Sequence, residues 1–584
     1  MGKKTAIGST LFLALISASY FLYSHFIGFE REPLDHKLPA DTYASVSIRH
    51  LRKLGIAIAT DEQLQASAQV IQGVGKILEA SIPSLDLTGE DSEIDEALLL
   101  SLSKHFKTQL TIAAIPVSKE ANSTIDFALL SDFYGHSVDF AKTLNEISRQ
   151  ATSSTGIDFR WDIRSRKSIP YQTLVPSLSR IDSNLPDIDL SWSVYEDTFY
   201  LCSSPSSLEK LLDHALLESS PSTQGLLDKH EISEKVPSAD ITIFVNALPT
   251  LNRLALDLRN DLIASGGLAA SFSPQVFLEE LGLNRIESFA SAIELTGNQS
   301  AYSGITYKGS IPLVSAIKAQ DESISQPLVT SSIYSYEHLG LDAGESLSQI
   351  KNAFLKAAPL ANFPYFGLRS KIKRDSGWDF EEVLPNAFEP QTTLLQTFDF
   401  GTGRSSFGDI QEQVILDTAI RFKLSSDSRI TEIIGSQIPN LLQITSVKAN
   451  REGNTLYVDR DRDSTVTSNR LALSFDNNYI TVGSGTLKSF HIFLEQEYQV
   501  QSFTQPEGDE PILVGSGSLV ATNLPATLFQ LAAVLYQQVN NTPNIPAAFM
   551  DFDWSSLTIL EQNRISKSYQ NEGHLYRVSR QVAE

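Results

Sequence analysis

The sequence predicts an α+β fold, a tandem duplication of an antiparallel-sheet-plus-helices module behind one N-terminal transmembrane helix. Three observations predict it. Thr5–Phe29 is an apolar run without a formal charge, strand-like alternations lead into short helical stretches, and these units recur later in the same order.

The chain opens with Lys3 and Lys4, an expected cytoplasmic stub over residues 1–4. At about 1.5 Å per residue, some 20 apolar residues cross a hydrocarbon core of roughly 30 Å. Residues 5–29 are long enough, and Tyr20, Tyr23 and Phe26 near the outer end suit an interfacial aromatic belt. Glu30, Glu32 and Asp35 follow. The positive-inside rule therefore expects a single-pass signal anchor with a cytoplasmic N-terminus and a periplasmic or extracellular bulk. A cleaved signal peptide, cut after Ile16-Ser17-Ala18, remains the alternative.

The rest reads as two modules, residues 30–318 and 319–584. Thr60–Glu79 and Ser92–Phe106 fit amphipathic helices, the latter with acids in its first turn, where the helix dipole favours them. Ile125–Asp132 alternates as a strand does and precedes a short helical stretch, Val138–Ile147; Ile420–Asp427 and Ile430–Ile438 echo the pair. Phe199–Ser204 leads into Ser207–Leu212 as Tyr479–Ser484 leads into Thr486–Phe490, each after a polar turn. Val245–Leu251 matches Ala521–Leu528, both with Pro where a helix begins. A closing hairpin, Ile286–Leu295 with Tyr302–Lys308, matches Ser556–Leu560 with Leu575–Val578. The boundary falls near Pro312–Pro327, where Asp321–Pro327 has linker composition.

Composition narrows function more than it assigns one. With 69 acidic against 46 basic residues the formal charge is −23, which repels nucleic acid phosphates and anionic lipid headgroups, so neither is an expected partner of the bulk surface. Cys202 is the only cysteine, so no intramolecular disulfide forms and Cys-rich metal sites are excluded. Its strand-end context suits a small buried core residue.

Leu38–Ile48 soon after the anchor, Pro237–Val245, and the strand–helix unit Tyr200–Leu212 carry a resemblance. Together they resemble a bacterial family of membrane-anchored envelope proteins known only as domain of unknown function 3352. The resemblance covers most of the first module and fades in the second. It implies export and supplies no activity, cofactor or site residue.

Chemical motifs are few. Asp459, Asp461 and Asp463 alternate as calcium loops begin, but Ser464 and Arg470 stand where Gly and Glu belong, so a self-neutralising turn competes with a metal site. As phosphate loops, Gly73–Lys76 lacks the full spacing and lies inside a helical pattern, and Gly515–Ser518 is not followed by Lys. Gly483-Ser484-Gly485 is too short for a nucleophile elbow and suits a turn. His230-Glu231 reads as a surface helix or loop. Glu90–Glu96 and Glu381-Glu382 read as solvated acids, with pairing for acid–base work as the rival, and the basic runs Arg160–Lys167 and Arg369–Arg374 as charge balance, an acidic or lipid partner being the rival. No cofactor and no catalytic residue is expected. The leading expectation is a non-enzymatic envelope protein, held in the membrane by its N-terminal helix, that binds an envelope protein or ligand. A carrier of an apolar ligand such as lipid and an envelope hydrolase without a recognisable motif stand beside it.

Overall fold

The computed structural model describes residues 33–49, 105–116, 125–133, 135, 137–155, 159–176, 190–217, 220–266, 269–294, 300–320, 335–377, 379–404, 410–425, 449–459, 470–476, 478–495, 512–520 and 563–581. Residues 5–29, the expected helices up to residue 104, and residues 430–438, 321–327 and 521–528 lie outside them. No helix among the described residues is long and apolar enough to cross a membrane. The fold is mixed α and β, and the strand pairs are antiparallel. The chain splits into two compact units: one holds the described residues up to Pro249 with Ser288–Ser303, the other Thr250–Glu287 with the described residues from Gly304 on.

The strands in chain order are β1 (Ala44–Ile48), β2 (Phe106–Pro116), β3 (Ile125–Phe133), β4 (Phe159–Arg166), β5 (Ile169–Pro176), β6 (Ser191–Tyr195), β7 (Thr198–Cys202), β8 (Ile241–Asn246), β9 (Ile286–Ile293) and β10 (Ala301–Tyr307). Phe106, expected to close a helix, opens β2 instead. The ladder of the first unit runs β4-β5-β6-β7-β3-β2-β1-β8-β9. Because side chains alternate across a strand, Leu129 and Leu130 of β3 enter different cores. Leu130, Tyr200 and Cys202 pack with Leu208, Leu211 and Leu212 of helix α2 (Pro205–Ala215). Leu129, Phe199 and Leu201 pack with Phe140 of helix α1 (Ser137–Thr155), together with Trp192. All five residues of β7 are therefore buried. Cys202 sits in this core as expected.

In the second unit, helix α3 (Ala247–Ser265, from Thr250) and helix α4 (Pro274–Glu280) precede β11 (Ser335–Leu339), helix α5 (Ala343–Ala357) and helix α6 (Asn362–Ser376). Then come β12 (Phe388–Arg404), β13 (Ile410–Leu424), β14 (Ala449–Glu452), β15 (Thr455–Asp459), β16 (Arg470–Phe475), β17 (Tyr479–Gly485), helix α7 (Lys488–Glu495), β18 (Ile512–Val520), β19 (Asn563–Asn571) and β20 (His574–Gln581). The ladder runs β14-β15-β16-β17-β13-β12-β11-β18-β19-β20. Phe490 and Phe493 of α7 pack on Tyr336, Leu395, Ala419 and Ala472. Gly515–Ser518, weighed as a phosphate loop, is interior to β18 and bonded on both sides. Gly483–Gly485, read as a turn, instead ends β17, because Gly483 supplies the space for the Phe490 ring: a Cβ there would lie 2.5 Å from Phe490 Cβ.

One carboxylate seats a helix in each unit. Asp126 of β3 accepts hydrogen bonds from Ser204 Oγ, the cap of α2, and from Ser207 Oγ. Asp417 of β13 is buried and accepts from Thr486 Oγ1 (2.6 Å) and from the backbone N–H groups of Thr486 and Lys488 at the start of α7. A carboxylate at a helix N-terminus satisfies orphan N–H groups and opposes the dipole. Gly485 makes room: its φ is +111°, and a Cβ would lie 2.0 Å from Asp417 Oδ1. Asp417→Ala leaves those donors unpaired and should lower stability by about 1–3 kcal/mol in urea unfolding. Gly485→Ala should also destabilise, and the double variant should lose less than the sum because the clash needs the carboxylate. Simple additivity would contradict this arrangement.

Candidate interaction surface

The residues singled out for chemistry are mostly structural. Asp459 ends β15, and its side chain lies outside the described residues with Asp461 and Asp463. Among the described residues no group of three or more His, Cys, Asp or Glu could hold a metal. His230 corrects its surface assignment. It is fully buried, with Nδ1 2.8 Å from Tyr302 Oη and Nε2 2.9 Å from Ser288 Oγ. Serine, histidine and tyrosine in a row have the order of a nucleophilic relay, but Ser288 has no exposed surface to offer a substrate. The three instead bind the 230s segment to β9 and β10 within the first unit. His338, hydrogen bonded to Thr393, is pushed down to about 4 by burial and by Lys423, so its imidazole is neutral at pH 7.

Part of each basic run is paired locally. Arg166 meets Asp213 and Glu209 from α2, and Lys167 also meets Asp213. Arg369 grips Asp379 with two hydrogen bonds, Nε–Oδ1 2.9 Å and Nη2–Oδ2 2.6 Å, and also meets Glu381. Lys373 reaches Asp379 at 3.2 Å, while Tyr365 Oη donates to Glu381 and Lys351 of α5 pairs with it at 2.6 Å. Glu381, read as a solvated acid, is thus a network member. The Arg369 guanidinium, then Lys373, holds the Asp379 carboxyl well below the usual carboxylate range. Lys351 and Tyr365 hold Glu381 low, and Tyr365 rises through burial and its bond to Glu381.

This network fixes the inner side of α6 and leaves an unusual outer side. With 3.6 residues per turn, Phe363, Phe366, Gly367, Ser370 and Arg374 lie on the side away from Ile372, which is buried. Phe363 is 81% exposed and Phe366 53%. Leu360, just before the helix, is half exposed. Helix α5 repeats the inversion: Ala343, Gly344, Ser346, Ala353 and Ala357 face inward, while Leu347, Ile350 and Phe354 stay exposed. Both helices belong to the second unit. Ser273 N–H donates to Ala357 O, and the Phe272 ring lies 5.7 Å from that of Phe354, so α4 supports α5 from one end. Large apolar side chains pointing to water while small ones pack is the signature of an unfilled interface.

Sequence reasoning singled out Arg369–Arg374 for charge and missed the aromatic turn before it. The available signal was composition: residues 362–374 hold two Phe, one Tyr, four cations and no acid, on a chain of net charge −23. Scans against family models, curated proteins and solved structures match nothing.

The Asp379 carboxyl titrates below its unfolded value, so its stabilisation is complete above roughly pH 4 and is lost as pH falls below that. Hydrogen exchange over residues 360–383 should therefore quicken between pH 5 and pH 3 relative to β13, after correction for intrinsic rates. Asp379→Asn should quicken it already at pH 5 and flatten the dependence. An unchanged pH profile in that variant would contradict the network's role.

Proposed function

We propose that this chain is a membrane-tethered envelope protein without catalytic activity, built from one module used twice, that binds a partner through the outward apolar face of α5 and α6. The observation that carries the reading is that face. Burying apolar surface is worth roughly 25 cal/mol per Å², and a folded chain that leaves Phe363 and Phe366 in water forgoes it unless something covers them.

Strand order supports the duplication. From β4 to β9 and from β14 to β19 the two ladders place their strands in the same sequence, and in each a carboxylate on the third strand seats the helix after the seventh. On that geometry Asp126 corresponds to Asp417 rather than to Arg421, the partner suggested by the match of Ile125 with Ile420. Tethering rests on the uncharged run Thr5–Phe29 between Lys4 and Glu30. The envelope setting also draws on the resemblance to domain of unknown function 3352. The burial of Ser288 and His230, which denies their hydroxyl–imidazole contact a substrate, favours a binding protein over a hydrolase.

A photoreactive residue at position 363 of the full chain, expressed in its own envelope, tests this. It should give an adduct, with a partner protein or with phospholipid, well above the level at an exposed control site, and Phe366→Ser should cut its yield at least tenfold. Labelling no different from that at Ile163, an exposed residue on β4, would contradict the reading.

A further inference from the structure

We infer that the occupant of the α5–α6 face is a lipid bilayer leaflet bearing anionic headgroups. This deepens the reading above and rests on it. Three features of the face select a bilayer. Its apolar part is aromatic and stands proud, Phe363 being among the most exposed large side chains described, which suits insertion among acyl chains at the headgroup boundary. Its cationic part lies on the same outward side two to three turns later, where Arg374 follows Phe363 and Phe366 along α6. The third feature is a contrast of charge. The chain as a whole carries −23 and is repelled by anionic lipid, yet residues 362–374 hold four cations without one acid, and with Arg369 and Lys373 held by Asp379, Lys371 and Arg374 are the two that serve the face.

The roles of these cations differ. Arg369 is committed to Asp379 and Glu381 and fixes the helix. Arg374 pairs only across the surface with its neighbour Asp375, at 75% and 40% side-chain exposure, and such exposed pairs are weak. Lys371 flanks the outward face and is partly buried. Arg374 and Lys371 can therefore turn to phosphate at little cost, while the Asp379 network keeps α6 rigid beneath them. An anionic leaflet gains from each such cation about a fivefold shift toward the docked state. A protein partner of matching chemistry would instead need an acidic groove shaped around two projecting rings.

The full-length chain carrying Ser370→Cys, labelled with an environment-sensitive fluorophore, tests the assignment. Position 370 faces outward and leaves both rings and all cations in place, and Cys202 is buried. The protein is reconstituted with phosphatidylcholine vesicles, or with phosphatidylcholine mixed with phosphatidylglycerol, each containing nitroxide-labelled lipid as quencher. Quenching at 370 is expected in the anionic vesicles, with little in the zwitterionic ones and little in either at a label placed by Ile163→Cys. Lys371→Gln with Arg374→Gln should shift the docked ratio down by about 25-fold, and Phe363→Ser with Phe366→Ser should remove docking while the far-ultraviolet circular dichroism stays unchanged. A label at 370 that is no more quenched than the one at 163 overturns the bilayer assignment, and equal quenching in both lipids overturns the headgroup part of it. If quenching fails while the photoreactive residue at 363 still yields an adduct with a partner protein, the surface reading stands and only the lipid occupant falls; if both fail, neither stands.

Discussion

A strand with every side chain shielded from water must be covered on both faces, and β7 meets that demand with helices of different origin. Tyr200 and Cys202 face α2, which follows β7 directly, whereas Phe199 and Leu201 face α1, which arrives from β3. Chain connectivity alone would cover one face. The second requires β3 to pair beside β7 and deliver α1. The Asp126 carboxylate on β3 then catches Ser204 and Ser207, so the same strand that brings one helix anchors the start of the other. Burial of three leucines of α2, each worth roughly 1.5–3 kcal/mol, depends on that alignment.

The second unit solves its central problem with smaller parts. Gly483 gives up a side chain so that the Phe490 ring can lie against the sheet, and Gly485 bends away so that Asp417 can reach the backbone ahead of α7. Its other helices follow the opposite logic. Helix α5 spends its small residues inward and α6 is fixed by ion pairs, so both keep their large apolar residues on the outside. A polar network is well suited to hold such a helix, since it fixes α6 without consuming the apolar face. The surface is thus available because charge, not burial, fastens its scaffold.

Local patterns were legible in the sequence. Period-two alternation and polar turns located β3, β7 and β17, and the Pro of α3 fell in its first turn, because these features depend on near neighbours. Whatever depended on distant pairing was not legible. His230 looks like a surface residue until Ser288 and Tyr302, 58 and 72 positions away, supply its two hydrogen bonds. Asp417 gains its role from residues about 70 positions on. Phe363 and Phe366 drew no reading, since nothing in a helix's own sequence says which side is covered. The run Arg369–Arg374 did reveal balanced charge, but its acids, Asp379 and Glu381, serve to orient the aromatic turn rather than to solubilise it.

The most direct measurement is hydrogen exchange of the full chain in its native membranes against the same chain solubilised in detergent and returned to buffer without lipid. A face covered in the envelope predicts exchange at residues 360–368 slowed at least tenfold in membranes, while the α7 and β13 amides, already buried, exchange alike in both. Equal exchange over residues 360–368 in the two preparations would contradict the central claim.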